Sequence, residues 1–347
     1  MLKRLFDAVG ALNHAVAQRA QKVDRIEKDY PGEKLKTEAY NTRKQRLATV
    51  NQEFEKEWVS ALKHLDELCK KVRQRQPHLN ELTVKNINTG MRFPDALTFG
   101  RMYLTYQNWK GYIPRLIPFP FKKSLWLPDQ TAGHRLIHQL MLRLMHCMPV
   151  GNVEITAADP LRLGTSLDPF LSLLKVKRLF PDQRLLTRSD ELENTLAQLT
   201  DYVEDLLQNK FKGEIKSWSA YNEANSSNPI PYKLLLIFGV PEQLTDESFW
   251  YLGCLLEHGP ACGVLPVLTI DESRLEDRKF TRLRTAIDKY SKRMDSIVPA
   301  EILTKHVSEI SVVEKQEFWP GRSELTDFLA SISDRYEQSS KFSKSLT

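Results

Sequence analysis

The segment Lys233-Leu-Leu-Leu-Ile-Phe238 decides how this chain is read. After one lysine it is apolar without a break, which suits a strand buried on both faces. On its C-terminal side, Asp246–Leu256 has a helical pattern and Val264–Ile270 a second strand pattern. On its N-terminal side, Ser189–Gln208 reads as a helix, with Ser189 as N-cap and acidic residues in the first turn. Arg184–Thr187 reads as a short strand. Val153–Ala158 is a strand ended by Asp159-Pro160. Thr131–Cys147 is a helix that buries Leu136, Ile137, Leu140, Met141 and Leu144. Ser124–Leu127 is a short opening strand. Strands alternating with helices imply an α/β domain: a mainly parallel sheet with helices on both faces.

The flanks differ. Residues 2–30 carry a heptad seam, with Leu2, Val9, Val16, Val23 and Tyr30 at one position and Leu5, Leu12, Arg19 and Ile26 at the other. Pro31-Gly32 stops this helix. A second helix from Lys34 to Arg75 carries the stripe Leu47, Val50, Phe54, Trp58, Ala61, Leu65, Leu68 and Val72. Two amphipathic helices across a Pro-Gly turn predict an antiparallel coiled-coil hairpin over 1–76. Residues 77–123 read as a linker. Its strand-like part, Leu97–Tyr106, places Leu97, Phe99 and Tyr103 on one face, and Ile113–Phe121 is proline-punctuated and extended. The α/β domain spans 124–335. Its end carries a basic, helix-compatible stretch Arg278–Arg293, an edge strand Val307–Val313 and a helix Ser323–Ser333. Residues 336–347 read as a flexible tail.

Composition narrows the class. The chain has 347 residues, 41% hydrophobic and 27% charged, enough for a substantial core. Cys69, Cys147, Cys254 and Cys262 are scattered and form no CxxC pair, as expected of free thiols in a reducing compartment. No apolar run reaches the length of a membrane span. Asp7, Asn13 and His14 interrupt any signal-peptide core, so the sequence places the protein in the cytoplasm. The net charge is +6, and residues 1–75 carry essentially all of it. That excess suits a nucleic-acid backbone or an acidic partner, or a solvated basic face.

A parallel α/β sheet invites a search for a phosphate loop between the first strand and its helix. That place reads Leu127-Pro-Asp-Gln-Thr-Ala-Gly-His-Arg135. It has one glycine, Gly133, and no lysine followed by Ser or Thr. Gly-Lys occurs nowhere in the chain, and Asp129 would repel a phosphate. Five other short features follow in order: Asp159-Pro160 after the second strand, Tyr221-Asn222, Pro231-Tyr232, the strand Lys233–Phe238, and Cys262-Gly263 leading to Thr269. In this order the chain resembles, over roughly 97–271, the motor module of FtsK/SpoIIIE-type translocases within the HerA–FtsK group of RecA-fold ATPases. The resemblance implies a RecA-like sheet. It also marks departures at the nucleotide-touching positions. Leu161 stands where the family has lysine, Phe238-Gly239 where the Walker B acids belong, and Thr269-Ile270 where Thr-Gln belongs. Asp129, Gly133, Asp159, Tyr221, Asn222, Phe238, Gly239 and Thr269 are therefore vestigial motif positions, with no nucleotide and no other cofactor expected.

Other chemistry is sparse. His134 and His138 lie four apart on a helix but lack a glutamate between them and further ligands, so a packed pair is expected and no metal. Asp201, Glu204 and Asp205 read as a solvated face. No Gly-x-Ser-x-Gly elbow occurs. Candidate DNA or partner contacts are the hairpin cations Arg43, Lys44, Arg46, Lys70, Lys71, Arg73 and Arg75. Trp109, Lys110 and Arg115 form a mixed aromatic and basic set, joined by Tyr112. Arg278, Lys279, Arg282, Arg284, Lys292 and Arg293 form a third, with Lys289. Three functional readings follow. The first is a non-catalytic FtsK-like subunit acting as scaffold or regulator in a DNA-handling complex of translocation or phage-defence type. It would pair with a protein partner such as an active FtsK/HerA-type ATPase, or with itself. The second is one half of a split translocase. The third is a coiled-coil interaction module with no DNA role.

Overall fold

In the computed structural model the described residues are 2–31, 37–82, 92–242, 244–296, 311–315 and 319–344. The chain divides into two compact units. One comprises Met1–Arg75, Thr98–Ile117 and Val298–Glu317; the other comprises Gln76–Leu97, Pro118–Ile297 and Phe318–Thr347.

The first unit begins with two long helices, α1 (Leu2–Asp29) and α2 (Thr37–Arg75). They pack antiparallel, as Arg43–Glu27 and Lys22–Glu53 show by pairing across them. The seam follows the hydrophobic periodicity: Leu5, Val9, Leu12, Val16 and Ile26 are buried on α1, and Trp58, Leu65, Leu68 and Val72 of the stripe are buried on α2. Strands β1 (Ala96–Tyr106) and β2 (Trp109–Pro118) lie side by side in a three-stranded sheet with β8 (Ser311–Lys315), order β2-β1-β8. β8 runs antiparallel to β1. Residues 307–310 of the expected edge strand lie outside the described residues.

Two expectations for this region are corrected. The inward face of β1 beyond Arg101 is Met102, Leu104 and Tyr106, not Tyr103. Tyr103 lies on the other face with Arg101, next to Tyr112 and beneath Lys315. The proline-punctuated stretch, read as part of a linker, is a strand as far as Pro118, because β2 occupies one edge of its sheet, where Pro114 need not donate a ladder hydrogen bond.

The second unit is built on a five-stranded parallel sheet. Its strands are β3 (Ser124–Pro128), β4 (Val153–Ala158), β5 (Tyr232–Val240), β6 (Val264–Ile270) and β7 (Ser291–Arg293), in the order β4-β5-β6-β3-β7. β5 and β6 are buried along almost their whole length, as the apolar run at 233–238 requires. One face is covered by α4 (Ser189–Asp205), α6 (Asp246–His258) and α8 (Thr281–Tyr290), with the short helices α5 (Trp218–Ala224) and α7 (Glu272–Leu275) in the connections. Leu196, Leu255 and Ile287 join Leu235, Ile237 and Leu268 in one apolar core there. The other layer holds α3 (Thr131–Cys147), a 3₁₀ helix at Thr165–Lys175 and α9 (Arg322–Lys344). The fold is α/β, a parallel sheet with helices on both faces preceded by a helical hairpin, consistent with a RecA-like domain.

Several local expectations change here. From Ile137 onward α3 is buried all round, including His138, Gln139, Arg143 and His146, because the 3₁₀ helix and α9 close over its outer side. Arg184–Thr187 contributes a single bridge, Leu186 to Ala158. Ser189 is the first helical residue and Arg188 the N-cap, with no side-chain cap bond. The basic stretch 278–293 splits into a 3₁₀ turn, α8 and the short strand β7, which pairs with β3. The final helix continues to Lys344, through most of the expected tail, and Tyr336 within it is buried.

Candidate functional site

Ligand chemistry in parallel α/β sheets belongs outside the carboxyl ends of the strands. Here that edge is closed by the chain's own groups. Only Asp129 and Gln130 separate β3 from α3. Their backbone N–H groups are already engaged: Asp129 donates to the Ile270 carbonyl (2.9 Å) and Gln130 to that of Pro128 (2.8 Å). A phosphate loop needs several such N–H groups pointing at one anion, and the two residues of this connection supply none.

The Asp129 carboxylate points into protein, its side chain 8% exposed. Oδ1 accepts from Thr269 Oγ1 (2.8 Å) and from His134 Nε2 (2.9 Å); Oδ2 accepts from Arg162 Nη2 (2.6 Å). An ionised carboxylate can only accept, so Nε2 is the protonated nitrogen of His134. Burial alone would raise the Asp129 pKa. The hydrogen bonds from His134, Arg162 and Thr269, with the Arg162 charge, outweigh it and hold the carboxyl well below the usual range. Thr269, fully buried, accepts in turn from the Gly239 N–H (2.9 Å). One polar chain thus ties the ends of β3, β5 and β6 to the segment after β4.

Of the other positions singled out in the sequence, Gly133, Phe238, Gly239 and Asp159 lie at this carboxyl edge, whereas Tyr221 and Asn222 lie beside Phe211 and Ile230, ahead of the start of β5. Gly133 sits so close to β3 that a Cβ would collide with the Pro128 carbonyl oxygen, so its role is helix–strand contact. Gly239 has φ +75°, sits within a register shift of β5 between Ile237 and Val240, and lies under Leu161. Phe238 meets His134 edge-on, with ring centroids 5.3 Å apart. Asp159 is fully buried and accepts from the Ser166 N–H (3.0 Å), fixing the turn after β4. Asn222 clamps Ile230 through both backbone groups, donating to its carbonyl (3.0 Å) and accepting from its N–H (2.9 Å). Tyr221 lies beside Phe211. His138 donates to the Ser166 carbonyl (2.7 Å), and burial pushes its pKa down to about 4. His134 and His138 therefore face separate partners. Among the described residues no group of three His, Cys, Asp or Glu could hold a metal.

Sequence reading identified Asp129 and Thr269 separately. It missed Arg162, 33 residues beyond Asp129, and the pairing of His134 with Asp129. No local pattern marks either contact. It also missed Trp218, fully buried, whose indole N–H donates to the Ile230 carbonyl (3.0 Å).

The basic candidates separate by environment. On the hairpin, Arg43 pairs with Glu27, Arg46 with Asp29 and Lys70 with Asp66. Lys44, Lys71, Arg73 and Arg75 are exposed. Trp109 packs edge-on against Trp58, Lys110 is exposed, and Tyr112 lies beneath Arg101. Arg115 is a correction: it is 8% exposed and donates to the Phe99 carbonyl, so it is a packing residue of the β1–β2 pair rather than a surface contact. Arg278, Lys279, Arg282, Arg284, Lys289 and Lys292 are exposed, whereas Arg293 is held by Asp295 and Glu272 over Trp126. No described helix is long and apolar enough to cross a membrane.

Neither a protein-family model nor a curated protein sequence matches this chain. Solved structures resemble it at low identity. EssC (ATPases 2 and 3) from Geobacillus thermodenitrificans is 11% identical with a TM-score of 0.46, over 74% of this chain and 51% of that one. The pCW3 conjugation coupling protein TcpA, in its monomer form with ATPγS, is 12% identical with a TM-score of 0.41, over 76% and 85%. EccC (ATPases 2 and 3) from Thermomonospora curvata, in complex with a signal sequence peptide, is 11% identical with a TM-score of 0.45, over 68% and 47%. The chain spans about half the length of the EssC structure. The class assigned here, a RecA-like α/β domain, rests on the chain's own sheet order and helix layers.

Proposed function

We propose that this chain is a non-catalytic, FtsK-like ATPase-fold subunit, acting as scaffold or regulator in a DNA-handling complex. One observation supports the non-catalytic part above all. The β3–α3 turn, where a nucleotide's phosphates would sit, has the N–H groups of Asp129 and Gln130 engaged and a buried anion, Asp129, already held by Arg162, His134 and Thr269. A phosphate entering there would meet a carboxylate in a poorly hydrated site, where like charges repel strongly. The carboxyl edge serves as a structural seam.

The DNA or partner role is carried by the hairpin. Its exposed cations Lys44, Lys71 and Arg75 have no ion pair among the described residues, unlike Arg43, Arg46 and Lys70. Titration of the purified chain with a fluorescent ATP analogue and magnesium, alongside a phosphate-release assay, tests the first part. Tight binding or turnover would end the non-catalytic reading. Charge reversal at Lys44, Lys71 and Arg75 tests the second. Association with duplex DNA or partner should weaken and lose part of its salt dependence. Unchanged association with both would remove the hairpin from the proposal.

A further inference from the structure

The sheet β2-β1-β8 of the first unit has one face in the core and one turned outward. On β1 the side chains alternate: Met102, Leu104 and Tyr106 are buried, and Tyr106 packs on Phe54 and Trp58 of α2. Arg101 and Tyr103 take the opposite face. β2 divides in the same way. Trp109 turns to Trp58 and Ile113 is buried, while Lys110 and Tyr112 are exposed. On β8, Lys315 stands opposite Arg101 and Val313 opposite Tyr103, and both are exposed on the outward face.

Four of these side chains are stacked together. The rings of Tyr103 and Tyr112 have centroids 5.9 Å apart and are tilted by 41°. The Arg101 guanidinium carbon lies 5.0 Å from the Tyr112 ring centre, and Lys315 Nζ lies 5.0 Å from that of Tyr103. The three strands contain a single acid, Glu314, and its register partner is Met102 of the inward face. The outward face thus combines two aromatic rings with the cations Arg101, Lys110 and Lys315.

That combination selects a ligand class. A nucleobase stacks on an aromatic ring or on a guanidinium plane, and its backbone brings phosphates to nearby cations. A single strand presents both along one open surface, whereas a duplex hides its base faces in its own stack. An acidic peptide would use the cations and leave the rings idle. We infer that this outward face binds single-stranded nucleic acid, with bases stacking on Tyr103, Tyr112 and Arg101 and phosphates meeting Lys110 and Lys315. The inference rests on the DNA-handling part of the proposed function for its class of ligand. Its site is separate from the hairpin cations Lys44, Lys71 and Arg75, and it does not depend on the fate of nucleotide.

Fluorescence anisotropy of the full chain tests it, with a labelled oligothymidylate of about 12 nucleotides, a duplex of the same length and an abasic strand of the same length. The abasic strand keeps every phosphate and loses every base, so it should bind at least about fivefold more weakly than oligothymidylate. Y103A/Y112A should weaken oligothymidylate binding at least about tenfold and change abasic binding less than about twofold, while Y103F/Y112F retains both. K110Q/K315Q should lower the slope of log Kd on log salt by about 1.4, about 0.7 for each cation. Strands carrying 5-iododeoxyuridine should photocrosslink to Tyr103 or Tyr112, in the hairpin variant K44E/K71E/R75E as in wild type. Equal affinity for the abasic and thymidylate strands would overturn the inference. So would wild-type binding by a Y103A/Y112A variant shown to be folded by circular dichroism. Polyglutamate binding that is lost in K110Q/K315Q and kept in Y103A/Y112A would make the face a contact for an acidic protein and overturn it equally. Duplex binding through the hairpin without single-strand binding would overturn the inference and leave the DNA-handling reading in place; failure to bind any nucleic acid would end both.

Discussion

Asp129→Ala would delete the carboxylate on which Thr269, His134 and Arg162 converge at 2.8, 2.9 and 2.6 Å. Removing one partner of a buried, hydrogen-bonded ion pair costs about 3–5 kcal/mol, because the other partner is left uncompensated. The Arg162 side chain keeps 35% of its exposure and can recover water, so the low end applies, about 3 kcal/mol. In a domain of this size that lowers the melting temperature by roughly 6–12 °C. Asp129→Asn keeps the shape and one acceptor but loses the charge facing Arg162, and should cost about half as much. Urea and thermal unfolding of both variants, with Arg162→Ala and the double variant, would measure this, and the cycle should show a coupling of about 1–2 kcal/mol. The pH dependence has a definite sign. The folded carboxyl is held below its ordinary value, so its stabilisation is complete above the usual carboxylate range. It is lost as the pH falls toward the folded value, so wild type and Asp129→Ala converge in acid. The alanine variant should gain no nucleotide binding, because the chain has no Gly-Lys phosphate loop and the N–H groups of residues 129 and 130 stay engaged. A variant within about 0.5 kcal/mol of wild type, or zero coupling to Arg162, would refute the seam.

Other outcomes follow from single contacts. Gly133→Ala forces a Cβ into the Pro128 carbonyl and should cost about 2–3 kcal/mol by thermal melting, although alanine is otherwise the better helix former. Asn222→Ala strips both partners from the Ile230 backbone and should cost about 2–3 kcal/mol in urea unfolding. His138, its pKa pushed down to about 4, should stay neutral in ring NMR signals between pH 8 and 5. The unfolded chain takes up that proton near pH 6.5, so this residue's share of stability declines as pH falls from there toward 4. Arg115→Ala should lower stability and leave DNA or partner association untouched, the reverse of Lys71 and Arg75 substitutions.

Strand and helix periodicity were legible wherever one face or both faces are buried. Val153–Ala158, Val264–Ile270 and Thr131–Cys147 have the same bounds in sequence and structure. Alternation failed on β1, where Gly100 and Arg101 blur which parity is inward and the neighbouring strands decide it. The basic stretch 278–293 looked like one helix, because composition does not show that Ser291–Arg293 finds β3 as a strand partner.

The order of elements, the hairpin and the absence of a Gly-Lys phosphate loop are properties of the sequence by itself, set by local periodicity, turn residues and the need for a particular side chain at a particular place. What fills that place required the tertiary structure. Asp129, Arg162 and Thr269 come from three separate stretches, and burial and hydrogen bonding, not spacing, turn them into one network. The same holds for charge. The sequence placed the basic excess on the hairpin, where much of it is paired across or along the two helices. The exposed acids of α4 and α6 and the exposed cations of α8 became neighbours only once folding set the three helices in one layer, because electrostatic fields depend on distances in space rather than along the chain.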